Sequence, residues 1–108
     1  MEMADDRRRH NRIDVPADLI ANDGMWAINL SEMGMGFRSR LGFEPAATIE
    51  ITLALPSCKQ KASGRVVWCK RAPSNVKGEF LVGVTFVELS PSTRSAINAY
   101  IAERAAVV

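Results

Sequence analysis

Apolar and polar residues alternate with a period of two through most of the chain, and the period changes only near residue 90. Residues 1–12 lie outside this pattern: they carry no apolar periodicity, and their polarity predicts a mobile arm. Ile13-Asp14-Val15 opens the alternation. Pro16 marks an edge or irregular start, and Leu19-Ile20-Ala21 continues the pattern. Asn22-Asp23-Gly24 has hairpin chemistry, because an Asp-Gly pair tolerates positive φ; residues 25–30 are therefore predicted to return antiparallel to the first strand. On that return strand Trp26, Ile28 and Leu30 fall on one face and Ala27 and Asn29 on the other, so Asn29 points away from the apolar face. Residues 35–40 form a short strand and residues 41–45 a loop. Ile49, Ile51, Leu53 and Leu55 then share a buried face that Pro56 ends. The next strand, residues 62–71, contains Val66-Val67-Trp68-Cys69, a run expected to have apolar neighbours on both sides. Pro73-Ser74-Asn75 and Gly78 mark the turn into the last strand, residues 80–87. There Phe80, Val82, Val84 and Phe86 are buried, with Gly83 opposite as a bend or close approach.

At Ser90 the period becomes helical. Ser90 is placed as N-cap and Pro91 at the first helical position, and Ile97, Tyr100 and Ile101 recur at spacings of three and four on one face. Five or six strands joined by short turns and followed by a single helix predict an all-β class with a terminal helix, a small antiparallel barrel carrying the helix as a plug or lid. The chain divides into an arm (1–12), a barrel (13–89) and a C-terminal helix and tail (90–108). With 47% hydrophobic residues among 108, these parts belong to one domain.

Charge alters this picture in one place. The net charge is +2, yet Arg7, Arg8, Arg9 and Arg12 lie within six positions, so positive potential is concentrated on the arm. No apolar run approaches the roughly 20 residues that span a bilayer, and the charged N-terminus does not suit a secretory signal; a cytoplasmic protein without membrane insertion is expected. Cys58 and Cys69 are too few for a disulfide framework and, with one histidine in the chain, make a poor zinc site; they read as inert thiols. No acid/base pair, metal cluster or phosphate-binding glycine motif argues for an enzyme, and no cofactor or catalytic residue is expected. Trp26, Trp68 and Tyr100 are expected in the core.

The candidate chemistry lies in the polar break Asn29-Leu30-Ser31-Glu32-Met33-Gly34. Asn29 and Ser31 can hydrogen-bond outward or back onto the turn, and Gly34 and Gly36 let another group approach the backbone closely. Arg8 and Arg12, four apart, lie on one side of an extended arm about 13 Å from each other, within reach of two anionic groups of one ligand. Arginine offers a planar fork for phosphate or for guanine O6 and N7, and a flat face that stacks on a base. His10 reads as part of the arm.

Together, Arg-x-x-x-Arg at Arg8 and Arg12, Asn-x-Ser-x-x-Gly at Asn29, Ser31 and Gly34, and the strands Gly64-Arg65-Val66-Val67-Trp68 and Val82-Gly83-Val84-Thr85-Phe86 resemble a PilZ domain. The resemblance runs from about residue 6 to residue 104. It implies a six-stranded antiparallel barrel with a C-terminal helix that binds cyclic di-GMP. Arg8 and Arg12 would contact phosphates and guanine, Asn29 and Ser31 would hydrogen-bond a guanine, and Gly34 would shape the turn. Arg7, directly before the first motif arginine, implies an intercalated ligand dimer, two molecules per chain; Arg9 and His10 are further ligand candidates. The same resemblance implies an output through a downstream effector protein, in motility, surface polysaccharide or biofilm behaviour, from a monomer or weak dimer. An adaptor without nucleotide binding is one alternative. A small basic barrel binding nucleic acid is another; against it stand the low net charge and strands that lack interleaved basic and aromatic residues.

Overall fold

The computed structural model describes residues 12–73 and 79–105. Six strands, β1 (Ile13–Asp14), β2 (Met25–Leu30), β3 (Gly34–Ser39), β4 (Thr48–Ala54), β5 (Lys59–Arg71) and β6 (Phe80–Val87), pair antiparallel in the order β1-β2-β3-β6-β5-β4. A terminal helix, α1 (Pro91–Ala105), completes the fold. The architecture is the expected antiparallel β-sheet with one C-terminal helix. The arm residues before 12, most of the turn at 73–78 and the last three residues lie outside the described residues.

The sheet curls until its two edges are joined by the segment between β1 and β2. This segment was expected to continue the first strand. Instead Pro16, which has no N–H to give a ladder, accepts the Leu19 N–H at 3.0 Å and closes a single 3-10 turn over Ala17–Leu19. Ile20 then bridges to Leu53 on β4, and the Ala21 N–H donates to Thr52 O at 2.8 Å. Asn22 extends the closure with its side chain. Its Nδ2 donates to Glu50 O at 3.1 Å and its Oδ1 accepts the Thr52 N–H at 2.8 Å, so the carboxamide imitates one peptide of a further strand. Gly24, at φ +77°, makes the turn into β2.

Leu30, Met35, Phe37, Ile51, Leu53 and Val82 are fully buried in the interior. Burying such side chains contributes about 1.5–3 kcal/mol each. Ile97 and Tyr100 add the inner face of α1, while Ile101 packs against the same core from its edge. Ser90 caps the helix, accepting the Thr93 N–H at 3.1 Å, and the buried Thr93 hydroxyl donates to Gln60 Oε1 on β5 at 2.9 Å.

Two strands depart from simple alternation. In β2, Ala27 faces Phe37 and Asn29 faces Gly36, leaving Ile28 as an inserted residue. The expected face of Trp26, Ile28 and Leu30 is thereby broken: Ala27 and Leu30 are buried, and Trp26, opposite Arg38, is on the outer side. In β5, Val66 faces Val84 and Trp68 faces Gly83, leaving Val67 inserted. Val67 and Trp68 are consequently exposed, 56% and 45%, where apolar neighbours on both sides were expected. This strand also begins at Lys59, three residues before the expected start.

Candidate functional site

The two bulges re-aim side chains toward one place on the outer face. Asn29, Gly36, Gly83 and Trp68 form a single row across β2, β3, β6 and β5, each the cross-strand partner of the next. The middle of this row has no side chains. A Cβ on Gly36 would lie 3.0 Å from Asn29 Oδ1, and a Cβ on Gly83 would collide with the Trp68 indole. The glycines therefore form a floor, with a carboxamide lying over one side and an indole over the other.

Above this floor is a cleft of about 490 Å³, bordered by Arg12, Asn29, Gly36, Trp68, Gly83 and Thr85. Its volume falls within the range of about 300–1,000 Å³ typical of small-molecule sites. Arg12 Nη1 donates to Asn29 Oδ1 at 2.7 Å, and the same oxygen accepts the Gly36 N–H at 2.9 Å. With both bonds made to Oδ1, the amide nitrogen Nδ2 has no partner among the described residues and remains available to a ligand. No acidic residue occurs in β2, β3, β5 or β6, so the walls carry positive charge only. Lys70 Nζ lies 5.6 Å from the centre of the Trp68 ring, and Arg40 lies 5.7 Å from that of Trp26. The first pair lies within β5, two residues apart, and the second joins β2 to the residue that follows β3.

The expected site residues separate into three groups. Arg12 and Asn29 border the cleft. Ser31 and Gly34 stand behind it and build the turn. Ser31 is 1% exposed; its Oγ accepts the N–H groups of Met33 and Gly34, both at 3.2 Å, and donates to Gly34 O at 3.3 Å. Gly34 lies so close to β6 that a Cβ would fall on the carbonyl oxygen of Val84. The Met33 carbonyl in turn accepts the Phe86 N–H at 2.8 Å, fixing the turn to β6. Arg7, Arg8, Arg9 and His10 lie outside the described residues. Trp68, expected in the core, borders the cleft instead, and Gly83 and Thr85 join it without having been singled out as site residues. The signal that identifies Trp68 is its pairing with a glycine, which leaves an indole no cross-strand side chain to pack on.

Among the described residues no group of three His, Cys, Asp or Glu side chains is placed to hold a metal ion, and no helix is long and apolar enough to cross a membrane.

No curated protein matches the chain in sequence. Among solved structures, the inhibitor of motility of Bacillus subtilis (MotI/DgrA) is similar in fold. Its TM-score is 0.72 at 15% identity, over 94% of this chain and 53% of that protein, so this chain spans about half its length. The family model for the PilZ domain matches residues 6–103, nearly the whole chain, and the protein accordingly belongs to the PilZ domain family.

Proposed function

We propose that the protein is a cyclic di-GMP receptor that takes its ligand in the cleft over the Gly36–Gly83 floor. The observation that carries this reading is the juxtaposition of a guanidinium, a carboxamide and an exposed indole around a floor of glycines. A guanine base can stack on the Trp68 face, its polar edge within reach of the Asn29 amide, while Arg12 meets a phosphate. Ser31 and Gly34 serve the site by holding the turn that presents Asn29.

Arg7 and Arg8 lie five and four residues before Arg12 in the sequence, so further positive charge is close in the chain to a residue that borders the cleft. Four arginines confined to one short segment repel one another, and a ligand with two phosphates neutralises them and holds the arm against the barrel. Binding thereby changes the surface that a downstream protein meets, by an amount set by the ligand's differential affinity for the two arm positions. The similar fold of a motility inhibitor supports an output in motility. No covalent chemistry is required.

Calorimetric titration with cyclic di-GMP tests the reading. Wild type is expected to bind, with Arg8→Ala and Arg12→Ala each weakening binding by about tenfold or more, the loss of a charge-assisted contact. Absence of heat with ligand on the order of 100 μM would remove the receptor reading. A stoichiometry of two ligands per chain, reduced to one in Arg7→Ala, is the expected result for the paired ligand.

A further inference from the structure

The longest strand carries a feature that the cleft does not use. Along β5 the inward positions Ala62, Gly64 and Val66 are buried, which turns Lys59, Lys61, Ser63 and Arg65 outward. Lys59, Lys61 and Arg65 are exposed, and among the described residues none has an ion-pair or hydrogen-bond partner. Their outward positions recur every second residue, about 6.8 Å apart, and the row from Lys59 to Arg65 is about 20 Å long. The row is flanked by neutral groups with one exception. Lys61 faces Thr52, and Arg65 lies between Thr48 on β4 and Thr85 on β6; but opposite Ser63, where the cations are interrupted, stands the exposed carboxylate of Glu50. Glu88 follows the end of β6, beyond the Val87 that pairs with Ser63.

We infer that this row is a docking track for an extended acidic segment of a partner protein. An extended peptide presents side chains on one side at the same pitch of about 6.8 Å, so carboxylates at alternate positions fall opposite Lys59, Lys61 and Arg65 in register. Glu50 supplies the selectivity. At the position facing Ser63 the partner must carry a cation or a neutral polar residue, because a third consecutive carboxylate there would meet Glu50. The same carboxylate disfavours a phosphate backbone, which is charged at every step, as does the low net charge of +2. The track borders the cleft, since Thr85 is shared by both, so a ligand in the cleft lies beside a docked segment.

The probe is a labelled seven-residue peptide, Glu-Thr-Glu-Thr-Lys-Thr-Glu, followed by fluorescence anisotropy at low ionic strength. A peptide of the same composition with its charges in block order is the control for register. Lys61→Glu/Arg65→Glu is expected to weaken the spaced peptide by about tenfold or more, whereas Arg94→Glu/Arg104→Glu, an equal change of charge on α1, leaves it within about twofold. The neutral pair Lys59→Gln/Lys61→Gln gives an intermediate loss and guards against a folding defect, which a circular-dichroism melt monitors. Equal loss in both charge-reversed pairs, or equal binding of the spaced and block peptides, would overturn the track. So would an oligothymidine that competes at lower concentration than the peptide and is lost in the same variants, since the occupant would then be a nucleic acid. None of these readouts depends on cyclic di-GMP, so the track and the receptor reading fail separately.

Discussion

The side-chain oxygen of Asn29 accepts the backbone N–H of Gly36 at 2.9 Å across the β2–β3 pair, a bond made where the two chains are held apart by the Ile28 bulge. It fixes the orientation of the carboxamide, because an amide nitrogen cannot accept that proton, and it leaves Nδ2 facing the cleft. Asn29→Ala is expected to lower stability by about 1 kcal/mol through the unpaired Gly36 N–H, and to reduce ligand affinity by about tenfold. Asn29→Asp keeps an acceptor for Gly36 and Arg12, so its melting temperature should stay close to that of wild type. A melt of the two variants beside a titration separates the structural part of the effect from the binding part.

Trp68 lies across Gly83, and each depends on the other. Removing the indole by Trp68→Ala should cost little stability, because the residue is 45% exposed, while the loss of stacking weakens cyclic di-GMP by about 1–3 kcal/mol. Gly83→Ala acts from beneath: the new methyl occupies space that the indole fills, so the ring must lift. Its expected signature is an altered tryptophan emission together with weakened binding. A Gly83→Ala protein with unchanged emission and unchanged affinity would remove Trp68 from the site.

These two residues show where the sequence was legible and where it was not. Ile51 and Leu53 on β4, Leu55 just past its end, and Val82 and Val84 on β6 occupy the interior as their alternation indicates, because neither strand contains a bulge. In β2 and β5 a single inserted residue puts the alternation out of phase across it, turning Trp26 before Ile28 and Trp68 after Val67 outward, and neither Ile28 nor Val67 differs in type from its neighbours. Trp26 and Trp68 were therefore expected inside. Within the site, Arg12 and Asn29 were indicated by short motifs whose order and separation together resemble the family, not by either motif by itself. The inward direction of Ser31 depends on a turn that closes on itself through two N–H groups, and that is a property of backbone geometry more than of residue type.

Ser31 and Gly34 are expected to act on binding through the turn. Ser31→Ala leaves the part-buried Met33 N–H and the buried Gly34 N–H without their acceptor, a loss of about 1–3 kcal/mol. Gly34→Ala forces a methyl onto the Val84 carbonyl and separates β3 from β6, at a cost of about 1–3 kcal/mol or more. In both variants hydrogen exchange should quicken at the Phe86 N–H, which the Met33 carbonyl holds. Loss of binding in Ser31→Ala with no change in stability or exchange would instead assign its hydroxyl to the ligand.

Asn22 closes the barrel from a position far from the cleft. Its carboxamide reaches Glu50 O and the Thr52 N–H, partners 28 and 30 residues away, and stands in for a strand where only Ile20 makes a bridge. Asn22→Ala removes both bonds, and one of them leaves an N–H without a protein partner. The expected loss is about 1–2 kcal/mol, or a melting temperature lower by about 5–10 °C for a domain of this size. Asn22→Asp discriminates between the two bonds: a carboxylate still accepts from Thr52 but cannot donate to Glu50 O, and repulsion from that carbonyl makes the variant less stable than wild type. Because Asn22 touches neither the glycine floor nor the Ser31 turn, ligand affinity should be unchanged at temperatures well below the melt. Faster exchange at the Thr52 N–H, with the Gly36 N–H as protected as before, would locate the defect at the closure; equal acceleration at both would mean that the sheet opens as one unit and that the closure governs the cleft as well.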